Sequence, residues 1–530
     1  MATLDGLGTF HGMGMISMTT PCGSGLHTTA VESVACGMYG NKPVKRLQRA
    51  AVDTIACAKV VKIHHFSTPN IPPLLNIHFK PVVELQFPYV QPPSINLDLL
   101  WKVGWYFSGE SEPRPSWSGF MQNVVLGEHH SPTNIHFLPI IDMHPSDKSC
   151  VLSTLLFIIN QAKLLNIETP CVTFDQPLWI KAVEVAESES LNVVCRLGVF
   201  HMVMSFLGSI GNVMSGSGLC EALETCYGPN TVSQIMCGKA FARAMRAHSL
   251  VESALYVLLL KYVFDSGDVS EDDIAELRAV YDSVVTGTSD VTIPQCLVKL
   301  HMHCHDQKST LAAASRTARL WLQYMEYVDV LRTVVHAERT SDWNLHLIGV
   351  SKMLNLFAAT GHSHYTKCAR LYLQMMMERP TTHAWLHGKF LCGYSVRRSR
   401  QFWAGLSTDL IIEQVLMRSL EGQGGLTHGG GMTDSVRSLW VHSMHECASV
   451  HAAVNALAGM DIDDTGPCHV ELTKARRTQD IVDLQKLLGW FAAHNPLDVS
   501  GSRLRNVGTG VVAGDDDKIT CDTAEDVVSE

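Results

Sequence analysis

The chain has 530 residues, of which 46% are hydrophobic and 17% charged, so it can bury a large core and is expected to form more than one globular unit. Its longest apolar stretches, 151–159 and 254–264, are shorter than the roughly 18–20 residues that a membrane-spanning helix needs. The first 18 residues lack the basic start of a secretory signal. The 16 cysteines form no regular framework, which favours reduced thiols and an intracellular protein without a membrane partner.

Charge is unevenly distributed along the chain. The formal net charge of -10 argues against a protein that binds nucleic acid over most of its surface. Residues 511–530 alone carry -6, however, as is typical of a solvated tail. Residues 361–403 carry +6 before histidine is counted. We expect a DNA-binding face there, with ordinary solvated helix surfaces as the alternative. Its candidate residues are Lys367, Arg370, Arg397, Arg398 and Arg400.

Alternating strand and helix patterns begin after a proline-rich connection. Hydrophobic periodicity predicts, in chain order, a strand over 135–142, a helix over 149–165, a strand over 170–175, a helix over 178–189, a strand over 192–199 and a helix over 201–214. Such alternation implies a parallel sheet with crossover helices.

Helical patterns dominate the next part of the chain. Helices are predicted over 219–226, 231–264, 270–286, 308–339, 343–359 and 364–378. Gly361 and Pro380 are expected to act as breaks. Residues 393–407 are typical of one or two short strands, and Ser407 is expected to begin another helix.

These patterns predict an α/β protein with a small, mostly parallel sheet, flanking helices and a large helical insertion or lobe. A ribonuclease H-like core is one form of this fold. The predicted regions are a poorly defined N-terminal part (1–96), an α/β core (97–215), a helical lobe (216–390), a C-terminal part that completes the core (391–495) and an acidic disordered tail (496–530).

Three predicted strands each end beside a polar residue, namely Asp142, Asp175 and His201. Ligands bind beyond the carboxyl ends of strands in open α/β sheets. Glu413 and Asp409 share one face of the later helix, because they are four residues apart. Carboxylates that converge in this way can hold Mg²⁺ or Mn²⁺ for phosphoryl transfer.

Structural roles remain open for the same residues. Aspartates at strand ends often cap the following loop or helix, and a histidine at a helix start is often a packed structural residue. The 33 positions and single helix between Asp142 and Asp175 also differ from a ribonuclease H-like core, which has a β-hairpin between its first two acidic strands.

Other motifs are less specific. His301 and His305 in HMHCHD are one helical turn apart, but no second ligand pair follows, so adventitious metal binding is favoured over a structural site. The glycine-rich stretch 422–432 predicts either a phosphate-binding loop or a flexible one. No dinucleotide fingerprint or nucleophile motif is present, and no organic cofactor is indicated.

Long segments between about 135 and 455 resemble a multicopy, uncharacterised animal family that looks transposon-derived. These segments include FLPIIDMHPSDKSC, TFDQPLWIKA, LGVFHMVMSFLGSIGNVMSGSGL, ERTSDWNLHL and RRSRQFWAGLSTDLIIEQVLMRS. A fungal and animal domain of unknown function with DQ, GFH and DxxxEQ motifs is similar. The resemblance implies functional positions at Asp142, Asp175, Gln176, His201, Asp409, Glu413 and Gln414.

The chain departs from the resembled family at two places. It has LGVFH where LGGFH is expected, and it has His428 and Gly430 where relatives tend to carry arginine. The loss of two arginines would weaken a phosphate contact, which implies that activity has decayed.

Two functional hypotheses follow. In the first, the protein is a transposon-derived, nuclear, metal-dependent nuclease or transposase-like enzyme, in which Asp142, Asp175 and Glu413 bind Mg²⁺ or Mn²⁺ and His201 assists phosphoryl transfer on DNA. In the second, it is a non-catalytic remnant or interaction protein that retains only the fold.

Overall fold

A computed structural model gives the architecture of ten stretches of the chain. It describes residues 13–19, 61–70, 73–77, 80, 94–107, 114–127, 131–141, 143–286, 294–417 and 473–513. The predicted acidic tail beyond Ala513, the glycine-rich stretch 422–432 and Asp142 lie outside the described residues.

The chain forms two compact units that interleave along the sequence. Unit 1 comprises Met1–Lys80, Glu128–His201 and Gln374–Gly466. Unit 2 comprises Pro81–Gly127, Met202–Leu373 and Pro467–Glu530. The five predicted regions with their boundaries stay a prediction.

The described strands form three small sheets, all in unit 1. They are β1 (Met13–Thr19), β2 (Asn134–Ile141), β3 (Cys171–Phe174), β4 (Val194–Leu197), β5 (Val396–Arg397) and β6 (Gly405–Leu406). β1 and β2 are antiparallel, β3 and β4 are parallel, and β5 and β6 are antiparallel.

The described helices account for most of the chain. They are α1 (Ser94–Phe107), α2 (Trp117–Val124), α3 (Lys148–Leu164), α4 (Gln176–Ser188), α5 (Val199–Val213), α6 (Leu219–Glu224), α7 (Pro229–Met236), α8 (Phe241–Asp265), α9 (Glu271–Thr286), α10 (Gln295–Ala314), α11 (Arg316–Thr340), α12 (Trp343–Ala359), α13 (Ser363–Thr382), α14 (Ala384–Cys392), α15 (Thr408–Ile411) and α16 (Lys474–Ala493). Short 3-10 turns lie at Pro73–Asn76 and Phe402–Ala404, and a π-helical turn at Ile412–Met417 continues from α15.

The mixed α/β class and a parallel strand pair are confirmed, with α4 as the crossover between β3 and β4. Backbone pairing in β3–β4 runs from Cys171 opposite Val194 to Phe174 opposite Leu197. The predicted strand 135–142 does not extend this pair among the described residues, because β2 hydrogen-bonds to β1. The finer expectation of a ribonuclease H-like core is therefore not confirmed.

Two predicted helix boundaries in unit 2 were wrong for reasons of backbone conformation. The predicted helix 231–264 is divided into α7 and α8, and Gly238 between them has φ +72°, a left-handed conformation that favours glycine. Two helices, α10 and α11, cover the range predicted as one helix over 308–339, and they are separated at Ser315. Ser315 is extended, with φ -139° and ψ 131°, and its side chain caps α11 by accepting from Ala318 N–H.

The break expected at Pro380 was also wrong. α13 continues through Pro380 to Thr382, and the hydroxyl of Thr381 donates to the carbonyl of Glu378 at 2.8 Å. Proline removes one backbone donor, and here the flanking hydroxyl provides a local hydrogen bond near the last turn. The next helix, α14, was not predicted.

One helix of the described part, α8, is long and apolar enough to cross a membrane by length and composition alone. Most of its apolar window, 78%, is buried within the protein. Core helices pass the same test, so α8 is weak evidence for a membrane span.

The core of unit 2 contains a cluster of ion pairs around Lys102, which is only 3% exposed. Its ammonium lies 2.9 Å from Asp98, 3.0 Å from Glu252 and 2.8 Å from Asp329. The guanidinium of Arg332 pairs with the same three carboxylates. Because buried charges are costly unless they are paired, each member of this cluster depends on the others.

The substitution Lys102→Met should destabilise unit 2 by about 3–5 kcal/mol, because it leaves buried carboxylates short of a partner. Chemical denaturation followed by tryptophan fluorescence measures this loss. Lys299→Met is the matched control, since Lys299 is 54% exposed and forms an exposed ion pair with Asp273. Equal stability of the two variants would contradict this account of the cluster.

Candidate functional site

The carboxyl ends of β3 and β4 lie side by side in unit 1, where the sequence predicted a crevice. Asp175 follows β3 and caps α4, with its Oδ1 accepting from Leu178 N–H at 3.2 Å. Gly198 follows β4, and its N–H donates to the carbonyl of Phe174 at 2.7 Å, which extends the strand pairing by one bond. The capping role considered for Asp175 is therefore present in the structure.

His201 lies in the first turn of α5, directly after this edge of the sheet. The carboxylate of Asp409 contacts both its backbone and its ring. The Oδ2 atom of Asp409 accepts from the backbone N–H of His201 at 3.2 Å and lies 3.3 Å from its ring Nδ1. The first N–H groups of a helix have no partner within the helix, so this carboxylate caps α5 from a distant part of the chain. Asp409 is 4% exposed, whereas the side chain of His201 is 32% exposed.

Gly198 allows this close approach because it has no side chain. A Cβ atom at this position would lie 2.5 Å from Oδ2 and 2.8 Å from Cγ of Asp409. Real Cβ contacts are essentially never that short, so any larger residue would displace the carboxylate. The glycine in LGVFH is therefore explained by the position of Asp409.

Arg196 on β4 fixes the segment that carries Asp409. Its guanidinium is buried and donates to the carbonyl of Tyr394 at 3.1 Å and to the hydroxyl of Thr408 at 3.4 Å. Thr408 is the first residue of α15, and Asp409 is the second. A buried arginine on the parallel strand pair thus connects that pair to the helix that supplies the carboxylate.

Glu413 approaches the other nitrogen of the His201 ring. Its Oε1 is 3.9 Å from Nε2, and its side chain is 43% exposed. Glu413 lies on the π-helical turn Ile412–Met417, and such turns are frequent at functional sites. The imidazole therefore has a buried carboxylate at Nδ1 and an exposed one near Nε2.

Protonation of His201 is favoured by its neighbours. Burial lowers the pKa of His201, but the hydrogen bond and charge of Asp409, with the charges of Asp175 and Glu413, outweigh it and raise that pKa above 6.5. The pKa of Asp175 is also raised, mainly by burial, with a further contribution from the charge of Asp409. His201 is therefore the group of this site most suited to carry a proton near neutral pH.

The predicted Mg²⁺ or Mn²⁺ site lies only partly within the described residues. One oxygen of Asp175 caps a helix. Oδ2 of Asp409 accepts from the backbone N–H of His201 and lies beside its ring Nδ1. Within the described stretches, no group of three or more His, Cys, Asp or Glu side chains is arranged to hold a metal ion. The predicted site of Asp142, Asp175 and Glu413 remains a prediction that depends on Asp142, which lies outside the described residues.

The residues predicted to bind DNA fall into both units. Lys367 and Arg370 lie on the part of α13 that belongs to unit 2, whereas the three arginines from 397 to 400 belong to unit 1. Arg398 and Arg400 are exposed. Arg397 is buried, its guanidinium donates to the carbonyl of Phe402 at 3.4 Å, and burial lowers its pKa. Of the predicted residues, Lys367 in unit 2 and Arg398 and Arg400 in unit 1 are therefore exposed.

We expect Gly198→Ala to destabilise unit 1 by about 1–3 kcal/mol, because the added methyl overlaps the Asp409 carboxylate. Chemical denaturation measures the change. Gly388→Ala is the matched control: Gly388 is inside α14, a methyl group added there would have nothing within 4 Å, and alanine should stabilise the helix by about 0.5–1 kcal/mol. The contact at Gly198 would be refuted if both substitutions stabilised the protein.

The pKa of His201 should fall in Asp409→Asn, because the amide keeps the shape of the side chain but loses its charge. In the wild type the raised pKa means that protonated His201 stabilises the folded state at low pH, and this stabilisation is lost as pH rises through the folded pKa. NMR titration of the imidazole protons measures the pKa of His201 in the wild type and in Asp409→Asn. The resonances of His201 are assigned by their absence from His201→Gln. Asp147→Asn is the control, since Asp147 caps α3 through Ser149 N–H. An unchanged pKa in Asp409→Asn would contradict the pairing.

Comparison with known proteins assigns the family but no activity. No curated protein and no solved structure matches the chain. The family model described as "Domain of unknown function (DUF8702)" matches residues 116–530, which include Asp175, His201, Asp409 and Glu413. The chain therefore belongs to the family Domain of unknown function (DUF8702).

Proposed function

We propose that this protein is a transposon-derived, nuclease-like enzyme that acts on the phosphodiester backbone of DNA, with His201 as its proton-transferring group. The observation that carries the proposal is the His201–Asp409 pair at the carboxyl ends of two parallel strands. A partly exposed imidazole held by a buried carboxylate is the arrangement that general acid–base catalysis uses.

The proposed chemistry needs only groups that lie near one another in unit 1. Asp409 holds Nδ1–H and orients the ring, which leaves Nε2–H free to donate to the leaving oxygen of a phosphodiester. Water attacks the phosphorus, the bond from phosphorus to the leaving oxygen breaks, and that oxygen takes the proton of His201. The attacking water releases its proton to solvent, and the charge of Glu413 near Nε2 helps to keep His201 protonated.

DNA is the proposed substrate because anion-binding groups accompany this site. Arg398 and Arg400 are exposed in the same unit as His201, and arginine binds phosphate through planar, bidentate hydrogen bonds. The resemblance to a transposon-derived family, on which the nuclear and intracellular location also rests, supports the same substrate. We also propose that the activity is reduced, because copies of a transposon accumulate mutations.

A non-catalytic, interaction role is the alternative. It is favoured by the capping bonds of Asp175 and Asp409, which account for both aspartates as helix caps. Against it stands the other oxygen of Asp409: Oδ1 is buried and has no hydrogen-bond partner among the described residues. A buried acceptor without a partner is costly, and in native structures such groups often mark functional sites.

The test is DNA cleavage by the full chain, with Mn²⁺ or with a chelator, across a range of pH. We expect His201→Gln to reduce cleavage by about 10²–10⁴-fold, because it removes the general acid. Activity of the wild type should fall as pH rises through the raised pKa of His201, and Asp409→Asn should move this fall to lower pH. Asp175→Asn tests the metal prediction in the same assay.

Asp147→Asn is again the control, because it alters a helix cap of unit 1 that has no contact with His201. Absence of cleavage by the wild type would overturn the proposal in favour of the interaction role. So would equal cleavage by the wild type and His201→Gln, or a pH profile that Asp409→Asn leaves in place.

A further inference from the structure

An open cleft of about 830 Å³ lies wholly within unit 2. Its walls come from α1, α2, α8, α10, α11 and α12. This volume is within the range of small-molecule binding sites, which is about 300–1,000 Å³. The cleft includes the HMHCHD segment, through His301, Cys304 and His305.

Ion pairs that neutralise one another form the floor of the cleft. Lys102 and Arg332 lie there with Asp98 and Asp329, and Glu252 is buried beneath them in contact with both cations. Lys102 also lies 4.0 Å from the centre of the Tyr256 ring. These groups already pair with one another, and the two cations and three carboxylates of the floor leave no net positive charge for a ligand.

The walls carry an excess of positive groups. Lys308 on α10 and Lys352 on α12 line the cleft with the exposed His301 and His305, whereas Glu326 is the carboxylate that α11 adds to the wall. Lys308 donates to the hydroxyl of Tyr256 at 2.8 Å. Burial lowers the pKa of Lys308, but the charges of Tyr256 and Asp329 outweigh burial and raise that pKa, so Lys308 carries its charge at neutral pH.

The effect of this charge is visible at His301. Burial lowers the pKa of His301, and the positive charges of Lys308, His305 and Lys102 lower it further. Burial also lowers the pKa of Lys352. The cations around His301 disfavour its protonation, and an anion bound between α10 and α12 would offset their effect.

We propose that this cleft binds a small phosphate-bearing polyanion of about nucleotide size, with Lys308 and Lys352 as its principal ligands. The two lysines stand on different helices of the cleft, so they can contact separate phosphate groups. The proposal concerns unit 2 alone and does not depend on the site at His201. His301 and His305 line the same cleft, and their ring N–H groups act as further donors to the anion.

Calorimetric titration of inorganic pyrophosphate into the full chain, at low ionic strength and without divalent metal, tests the proposal. We expect saturable binding, a Kd about tenfold higher in Lys308→Gln and in Lys352→Gln, and near-normal binding in Lys308→Arg. Lys299→Gln is the matched control, because Lys299 is on the same helix as Lys308 and pairs with Asp273 away from the cleft.

The variants also guard against a loss of folding. Lys352 is exposed, so its substitution is not expected to unfold the protein, and thermal unfolding of each variant checks this. Saturating pyrophosphate should raise the pKa of His301 in an NMR titration of the wild type. No binding by the wild type, or the same Kd in Lys308→Gln, Lys352→Gln and Lys299→Gln, would overturn the proposal.

Discussion

The candidate site of unit 1 depends on one carboxylate. Asp409 accepts from the backbone and lies against the ring of a histidine 208 positions earlier, and by doing so it caps α5, orients the imidazole and raises its pKa. Gly198 makes room for this carboxylate, and Arg196 holds the start of the helix that carries it. Removal of any of these three features would change the surroundings of His201.

Buried charge is handled differently in the two units. In unit 2, Lys102 and Arg332 share three carboxylates, and these ion pairs offset the cost of burying the charges. In unit 1, Asp409 is paired on one oxygen and lacks a partner on the other among the described residues. The first arrangement supports a fold and the floor of a cleft, whereas the second leaves an unbalanced group beside a partly exposed histidine. The partly exposed histidine beside that carboxylate is the reason that we propose chemistry for unit 1, whereas we propose ligand binding for the cleft walls of unit 2.

Most of the local structure follows from local sequence signals. The β3–α4–β4 unit was predicted from apolar runs and a helical pattern, and Asp175 was recognised as both a cap and a candidate ligand. Ser407 was identified at the start of a helix that begins at Thr408. Two of the misplaced boundaries lie where the backbone conformation of one residue ends a helix, at Gly238 and at Ser315. The third lies at Pro380, where the helix continues through a proline. Spacing could not foresee these, because hydrophobic periodicity does not report the backbone conformation of a single residue.

By itself the sequence determined the α/β character, the strand-end position of Asp175 and His201, and the helix that bears Asp409 and Glu413. Periodicity, caps and strand ends depend on residues within a few positions of each other, so one chain reveals them. The tertiary structure decided that β2 pairs with β1, that Arg397 is buried, and that Asp409 and not Glu413 holds the backbone and Nδ1 of His201. It also brought Lys308 and Lys352 to one cleft from two helices. These contacts join segments far apart in the chain, and the packing that unites them leaves no periodic trace in the sequence.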